Sequence, residues 1–128
     1  DNASHDGVVL LVEDEDGVRE GLAEALRTVG YRVTTAADVA TARRALADHT
    51  FDAVLSDMVL PDGSGVELLS AVRSAHPDRG CILMSGYAAD VVETEGLGTS
   101  ADTVFLQKPF GLTRLIDALH QVMARRGG

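Results

Sequence analysis

Short apolar runs recur five times along the chain, and segments with helical spacing of apolar residues separate them. The runs are Val8 to Val12, Arg32 to Ala36, Ala53 to Ser56, Cys81 to Met84 and Thr103 to Leu106. Regular alternation of strands and helices is typical of parallel strands joined by right-handed crossovers, with helices covering both faces. The pattern therefore predicts an α/β domain with a doubly wound, five-stranded parallel sheet.

The segments between these runs place apolar residues three or four positions apart, as one buried face of a helix requires. The last segment is the clearest, with an apolar stripe of Leu112, Leu115, Ile116, Leu119, Val122 and Met123. Asp38 is expected to cap the second helix and Ser64 the third, while Gly30 follows the first. A fourth helix is expected from Ala88 to Glu95, where the pattern is weakest.

Polar side chains stand just beyond four of the five apolar runs. Glu13 and Asp14 follow the first run, Asp57 the third, Ser85 the fourth and, shortly after it, Lys108 the fifth. In doubly wound sheets, ligands bind outside the carboxyl ends of the strands, near the point where strand order reverses. If the second strand lies at an edge, these groups converge on one pocket.

The residue types at that pocket suit phosphoryl chemistry on a bound metal. Carboxylate oxygens with room for water are the ligands that Mg²⁺ prefers, so Glu13, Asp14 and Asp57 are candidate ligands. An isolated acidic run is more often a solvated loop, but this one stands at a strand end and has Asp57 as a distant partner. Asp57 is a candidate nucleophile for an aspartyl phosphate. Lys108 would pair with the phosphoryl oxygens, and Ser85 would donate a hydrogen bond to them.

Charge and composition narrow the function further. The net charge of −9 and the pI near 4.7 oppose direct nucleic-acid binding, which relies on clustered cations. No apolar run approaches the roughly 20 residues of a membrane span, so we expect no membrane contact. The single cysteine, Cys81, allows no internal disulfide and fits a reducing cytoplasm. We interpret residues 1–6 as a linker or cloning remnant and residues 7–126 as the domain.

Four motifs together resemble the receiver domain of two-component response regulators: Val12 to Glu15, Leu55 to Gly63, Met84 to Tyr87 and Gln107 to Phe110. The resemblance runs from about Gly7 to Arg125 and keeps every motif in family order. It implies a flavodoxin-like fold with strand order 2-1-3-4-5 and five helices. The third and fourth motifs most resemble receivers joined to the C-terminal side of hybrid sensor kinases.

The resemblance also implies a role for each residue of the pocket. Asp57 would accept a phosphoryl group from a phosphohistidine on a sensor histidine kinase or a histidine phosphotransfer domain. Mg²⁺, or Mn²⁺ in its place, would be held by Asp14, Asp57 and the backbone carbonyl of Val59, with Glu13 in contact through water. The peptide bond between Lys108 and Pro109 would be cis, which aims the lysine inward.

Phosphorylation would then act as a switch. The resemblance assigns the switch to Ser85, which turns toward the phosphoryl group, and to Phe105, which moves inward behind it. Many receivers carry Tyr at the second position, so Phe105 has no hydroxyl to offer a partner. The face formed by the fourth helix, fifth strand and fifth helix would control an output domain or partner. Enzymatic activity would be limited to self-phosphorylation and autodephosphorylation.

Two other functions fit parts of the pattern. A pseudo-receiver would keep the fold for binding alone, without phosphorylation, but it would not need the intact set of acids and Lys108. A metal-dependent phosphohydrolase would need a second aspartate two residues after Asp57, where this chain has Val59. The receiver is the function that we expect.

Overall fold

A computed structural model describes residues 7–77, 79–86 and 103–127, with side chains described through residue 123. The strands are β1 (Val8–Val12), β2 (Arg32–Ala36), β3 (Ala53–Asp57), β4 (Val59–Leu60), β5 (Gly63–Ser64), β6 (Gly80–Ser85) and β7 (Thr103–Gln107). The helices are α1 (Asp16–Thr28), α2 (Val39–Asp48), α3 (Gly65–Ala75) and α4 (Leu112–Gly127). The two-residue strands β4 and β5 form a separate antiparallel pair.

The other five strands form one parallel sheet in the order β2-β1-β3-β6-β7. This confirms the predicted order, in which the second strand lies at an edge. Three strands are one or two residues longer than predicted, so Asp57 and Ser85 are the last residues of β3 and β6 and do not lie beyond them. The predicted fourth helix, Ala88 to Glu95, lies outside the described residues.

The sheet has a hydrophobic core on each face, because the central strands are apolar along most of their length and become polar only at their carboxyl ends. Along β1, Val9 and Leu11 pack into one core, and Leu10 and Val12 pack into the other. All four side chains are fully buried. A strand buried on both faces is held rigidly in the sheet, and the residues at its carboxyl end are therefore fixed in position.

The expected helix boundaries are present. The Asp38 side chain accepts a hydrogen bond from the backbone N–H of Thr41 at 2.8 Å, and Ser64 caps α3 in the same way. Gly30 has φ of +113°, a conformation that favours glycine, and ends α1 in a Schellman arrangement. Leu112 was predicted to lie on the buried stripe of the last helix. That prediction is wrong, because Leu112 is 39% exposed in the first turn of α4.

No helix in the described part of the chain is long and apolar enough to cross a membrane.

Candidate functional site

Three carboxylates meet at the carboxyl end of the sheet. Asp57 is the last residue of β3, and Glu13 and Asp14 directly follow the neighbouring strand β1, with Val12 opposite Ser56 in the register. One oxygen from each of the three side chains lies within 4.8 Å of the others. Glu13 is 1% exposed, Asp57 is half-buried and Asp14 is open to solvent. The sheet thus brings together the three acidic residues that the sequence pattern identified as candidate metal ligands.

Lys108, which directly follows β7, also contacts this cluster of carboxylates. Its Nζ lies 2.8 Å from Glu13 Oε1 and 3.6 Å from Asp57 Oδ2. The backbone N–H of Lys108 donates to the carbonyl of Ser85 at 2.6 Å, and the peptide bond to Pro109 is cis. We expected Lys108 to face phosphoryl oxygens but did not predict its hydrogen bond to Glu13. Lys108 is the only lysine in the sequence, a signal that could have drawn attention to its role.

Contacts on both sides of Glu13 hold it in place. Its Oε2 accepts a hydrogen bond from the backbone N–H of Glu15 at 3.1 Å. Its backbone N–H donates to the carbonyl of Ala36 at 3.0 Å, and its carbonyl accepts from Arg19 Nη1 at 3.0 Å. Asp16 in the first turn of α1 pairs with Arg19 at 2.6 Å. The four consecutive acids therefore divide, with Glu13 and Asp14 at the cluster, Glu15 at the N-cap of α1 and Asp16 in its first turn.

The loop after β3 fixes the orientation of Asp57. The backbone N–H of Met58 donates to Asp57 Oδ1 at 2.9 Å, and the Ser56 hydroxyl donates to the Asp57 carbonyl at 2.9 Å. Gly65, the first residue of α3, lies so close that a Cβ there would stand 1.9 Å from the Asp57 carbonyl oxygen. Only glycine permits this approach. The sequence pattern identified the start of α3 but not the reason for its glycine.

Electrostatics at the cluster oppose the charge on Asp57. Burial, followed by the negative charge of Glu13, raises the pKa of Asp57 from 3.8 to about 6, although Lys108 pulls it down. Burial also disfavours the charge on Lys108. The hydrogen bond that Lys108 donates to Glu13 and the charges of Glu13 and Asp57 outweigh that burial, so the pKa of Lys108 is raised. The Lys108 ammonium contacts two of the three clustered carboxylates, and a further cation would relieve the remaining repulsion.

The other predicted site residues lie around this cluster. Ser85 is fully buried at the end of β6, where it is paired in register with Gln107. Phe105 lies two residues earlier on β7, half-buried and packed on the core cluster that contains Leu83. The Val59 side chain is 68% exposed. The roles assigned to Ser85, Phe105 and the Val59 carbonyl remain predictions.

A second unpredicted contact ties the loop after β4 to α2. The Asp62 carboxylate accepts hydrogen bonds from the backbone N–H groups of Val39 at 2.7 Å and Ala40 at 3.1 Å. These are donors at the first turn of a helix, which an acidic side chain satisfies and stabilises. The sequence could not predict this contact, because no local pattern shows that Asp62 reaches another helix.

Comparison with known proteins yields one family. The sequence model described as the response regulator receiver domain matches residues 9–120. The chain is 38% identical over 125 residues to sensor kinase CckA of Brucella abortus, an alignment covering 96% of this chain and 13% of the kinase. It is 30% identical over 115 residues to the response regulator receiver protein CpdR of Brucella abortus, covering 90% of this chain and 95% of that protein.

A solved structure agrees with these sequence matches. The response regulator protein TrrA of Thermotoga maritima, in complex with Mg²⁺ and BeF, superposes with a TM-score of 0.80 at 27% identity. The match covers 90% of this chain and 97% of that one. The chain thus spans about an eighth of the kinase relative and nearly all of the two receiver proteins.

Proposed function

The chain belongs to the response regulator receiver domain family, and we propose that its Asp57 accepts a phosphoryl group from a phosphohistidine on a partner protein. The observation that carries this proposal is the convergence of Glu13, Asp14 and Asp57 within 4.8 Å, with Lys108 beside them. Phosphoryl transfer depends mainly on positioning and charge neutralisation, and these four side chains supply both.

The donor set fits a magnesium ion. Glu13, Asp14 and Asp57 offer hard oxygen ligands, and the exposure of Asp14 leaves room for the water molecules that Mg²⁺ retains. The backbone carbonyl of Val59 is proposed as a further ligand, and Mn²⁺ as a substitute ion. When bound, the cation supplies positive charge opposite the oxygens of the transferring group.

The side chains at the site have distinct parts in the transfer. The Met58 N–H holds Asp57 Oδ1, so we assign the attack on phosphorus to Asp57 Oδ2, which faces Lys108 at 3.6 Å. The new O–P bond forms as the N–P bond of the donor breaks, and the electron pair returns to the imidazole nitrogen of the partner. Lys108 is close enough to pair with the phosphoryl oxygens. With a pKa of about 6, Asp57 is mostly ionised and nucleophilic at pH 7.5.

Phosphorylation then favours one of two conformations of the domain. We assign the change to the hydroxyl of Ser85, which would donate to the phosphoryl group, and to Phe105, which would move inward. Ser85 and Phe105 stand on adjacent strands, near the end of the sheet that holds Asp57. The predicted fourth helix lies outside the described residues, so the output face is proposed from the family resemblance alone.

The partners we propose are a sensor histidine kinase or a histidine phosphotransfer domain as donor, and an output domain or protein as receiver of the signal. We propose that the reaction takes place in the cytoplasm. We propose residues 7–126 as the receiver unit, whether it acts alone or within a longer protein such as a hybrid kinase. No feature of the described site favours the pseudo-receiver, which would not need Lys108 beside three clustered acids.

Incubation with acetyl phosphate and Mg²⁺, followed by intact-mass spectrometry, tests the proposal. We expect one phosphoryl adduct on the wild type and none on Asp57→Asn. Asp117→Asn, which removes an exposed aspartate of α4, is the matched control and should be labelled like the wild type. Equal labelling of wild type and Asp57→Asn, or no adduct on the folded wild type, would overturn the proposal.

A further inference from the structure

A second pocket lies at the opposite end of the sheet, between the C-terminal ends of α2 and α3. It is a cavity of about 430 Å³, within the range of about 300–1,000 Å³ that small-molecule sites occupy. Its apolar wall includes Leu46, Leu68 and Val72. The five residues of β3 separate it from Asp57, which corresponds to roughly 15 Å along an extended strand.

Arg79 is the unusual residue of this pocket. It is only 7% exposed, and its Nε is buried without a hydrogen-bond partner. Among the residues that the structure describes, no carboxylate lies within ion-pair distance of it. The backbone of Arg79 is held by a hydrogen bond from its N–H to the carbonyl of His76 at 2.9 Å. A largely buried arginine with no described counterion is costly, and an anion in the pocket would relieve that cost.

The charges around the pocket favour a ligand with one negative charge. Among the described residues that line the pocket, Arg43 and Arg79 carry two positive charges and Asp48 carries the one negative charge, in a protein whose net charge is −9. His49 and His76 directly follow the last residues of α2 and α3, where they face the partial negative charges of two helix ends. Those helix ends and Asp48 oppose a doubly charged ligand. A monoanion matches the small excess of positive charge.

We propose that this pocket binds a small monocarboxylate with an apolar body. The carboxylate would pair with the guanidinium groups of Arg79 and Arg43, whose planar donors suit two-point contacts to carboxylate oxygens. The hydrocarbon would lie against Leu46, Leu68 and Val72. An uncharged analogue would leave Arg79 unpaired, and inorganic phosphate would lack the apolar contact.

NMR titration of the ¹⁵N-labelled full chain tests this binding, with hexanoate, hexanamide and inorganic phosphate as probes. The amide signals to follow are those of residues 46–50, 75 and 76, at the two helix ends. We expect saturable shifts with hexanoate at a Kd of about 1 mM or tighter. Hexanamide and phosphate should bind at least about tenfold more weakly, the loss expected for a missing charge-assisted contact or apolar contact.

Substitutions of the two pocket arginines test whether hexanoate binds in this pocket. Arg79→Gln and Arg43→Gln should each weaken hexanoate binding about tenfold. Arg44→Gln is the matched control, because Arg44 is an exposed neighbour on α2 that does not line the pocket. If Arg79→Gln does not fold, Arg43→Gln decides alone. The proposal is overturned if hexanoate gives no saturable shift, if hexanamide binds equally well, or if neither pocket variant weakens binding.

Discussion

The two ends of the sheet each hold a buried or half-buried cation, and the two cations have opposite surroundings. At the carboxyl end, Lys108 contacts the carboxylates of Glu13 and Asp57 at 2.8 and 3.6 Å. At the amino end, Arg79 is more deeply buried, and no described carboxylate pairs with it. Lys108 partly neutralises a cluster of negative charges, whereas Arg79 gives its pocket a net positive charge. The same fold thus offers a site for cations at one end and for anions at the other.

Removing Lys108 should have the largest effect on stability. Lys108→Met leaves Glu13 buried and unpaired beside two other acids, and we expect the free energy of unfolding to fall by about 3 kcal/mol in EDTA at pH 7.5. Urea unfolding measures the change. Adding Glu13→Gln to Lys108→Met should restore part of the loss, because the buried charge is then gone. Additive effects of the two substitutions would contradict the pairing.

Substitution of Gly65 tests how closely α3 must pack against Asp57 at the carboxyl end of the sheet. Gly65→Ala places a methyl group against the Asp57 carbonyl oxygen, and we expect a loss of about 2–3 kcal/mol together with slower phosphorylation. Gly21→Ala is the matched control, since nothing lies within 4 Å of a Cβ at that position of α1. It should stabilise the protein by up to about 1 kcal/mol. Equal effects of the two substitutions would show that the Asp57 loop is free to move.

The pKa of Asp57 predicts a pH-dependent gain from removing its charge. Below pH 3.8, both the folded and the unfolded wild type keep the proton on Asp57. Between pH 3.8 and about 6 the unfolded state loses it first, so the wild type loses stability until the pH passes the folded-state pKa. In EDTA, Asp57→Asn should therefore be about 1–2 kcal/mol more stable than wild type above pH 6. Thermal unfolding from pH 4 to pH 8 measures this, and a gain that persists at pH 4 would contradict it.

Removing Arg79 should have the smallest effect, in contrast to Lys108. Because Arg79 has no described carboxylate partner, Arg79→Met leaves no counterion unpaired and replaces a buried charge with an apolar side chain. We expect a change in the free energy of unfolding of less than about 1 kcal/mol, neutral or stabilising. A loss as large as that of Lys108→Met would mean that Arg79 has a structural partner, and the contrast between the two ends would fail.

The sequence was most informative where the chain forms the sheet. Fully apolar runs such as Val8–Val12 indicate buried parallel strands. The carboxyl ends of such strands lie at the same end of the sheet. Glu13, Asp14, Asp57 and Lys108 could therefore be assigned to one site from the sequence. Contacts that depend on packing between distant elements could not be predicted from the sequence. The hydrogen bond of Lys108 to Glu13 spans 95 residues of sequence, and Asp62 reaches α2 across 23.

The amino end of the sheet was harder still to predict. Arg43 lies on α2 and Arg79 in the loop before β6, neither belongs to a motif, and only the fold brings them to one pocket. Arg43 follows directly after Thr41 and Ala42 and precedes Arg44, and nothing in that sequence distinguishes it from an ordinary cation on a solvated helix face. The burial of Arg79 depends on the loop that enters β6, whose path no local pattern specifies.

The most direct test of the central claim is the Mg²⁺ dependence of Asp57 phosphorylation in wild type and Asp14→Asn. Acetyl phosphate is the donor, and peptide mass spectrometry locates the adduct. We predict labelling of Asp57 that rises with Mg²⁺ and disappears in EDTA. In Asp14→Asn, half-saturation should need at least about tenfold more Mg²⁺, because a charged ligand is lost. Equal labelling in EDTA, or an adduct on another residue, would contradict the account.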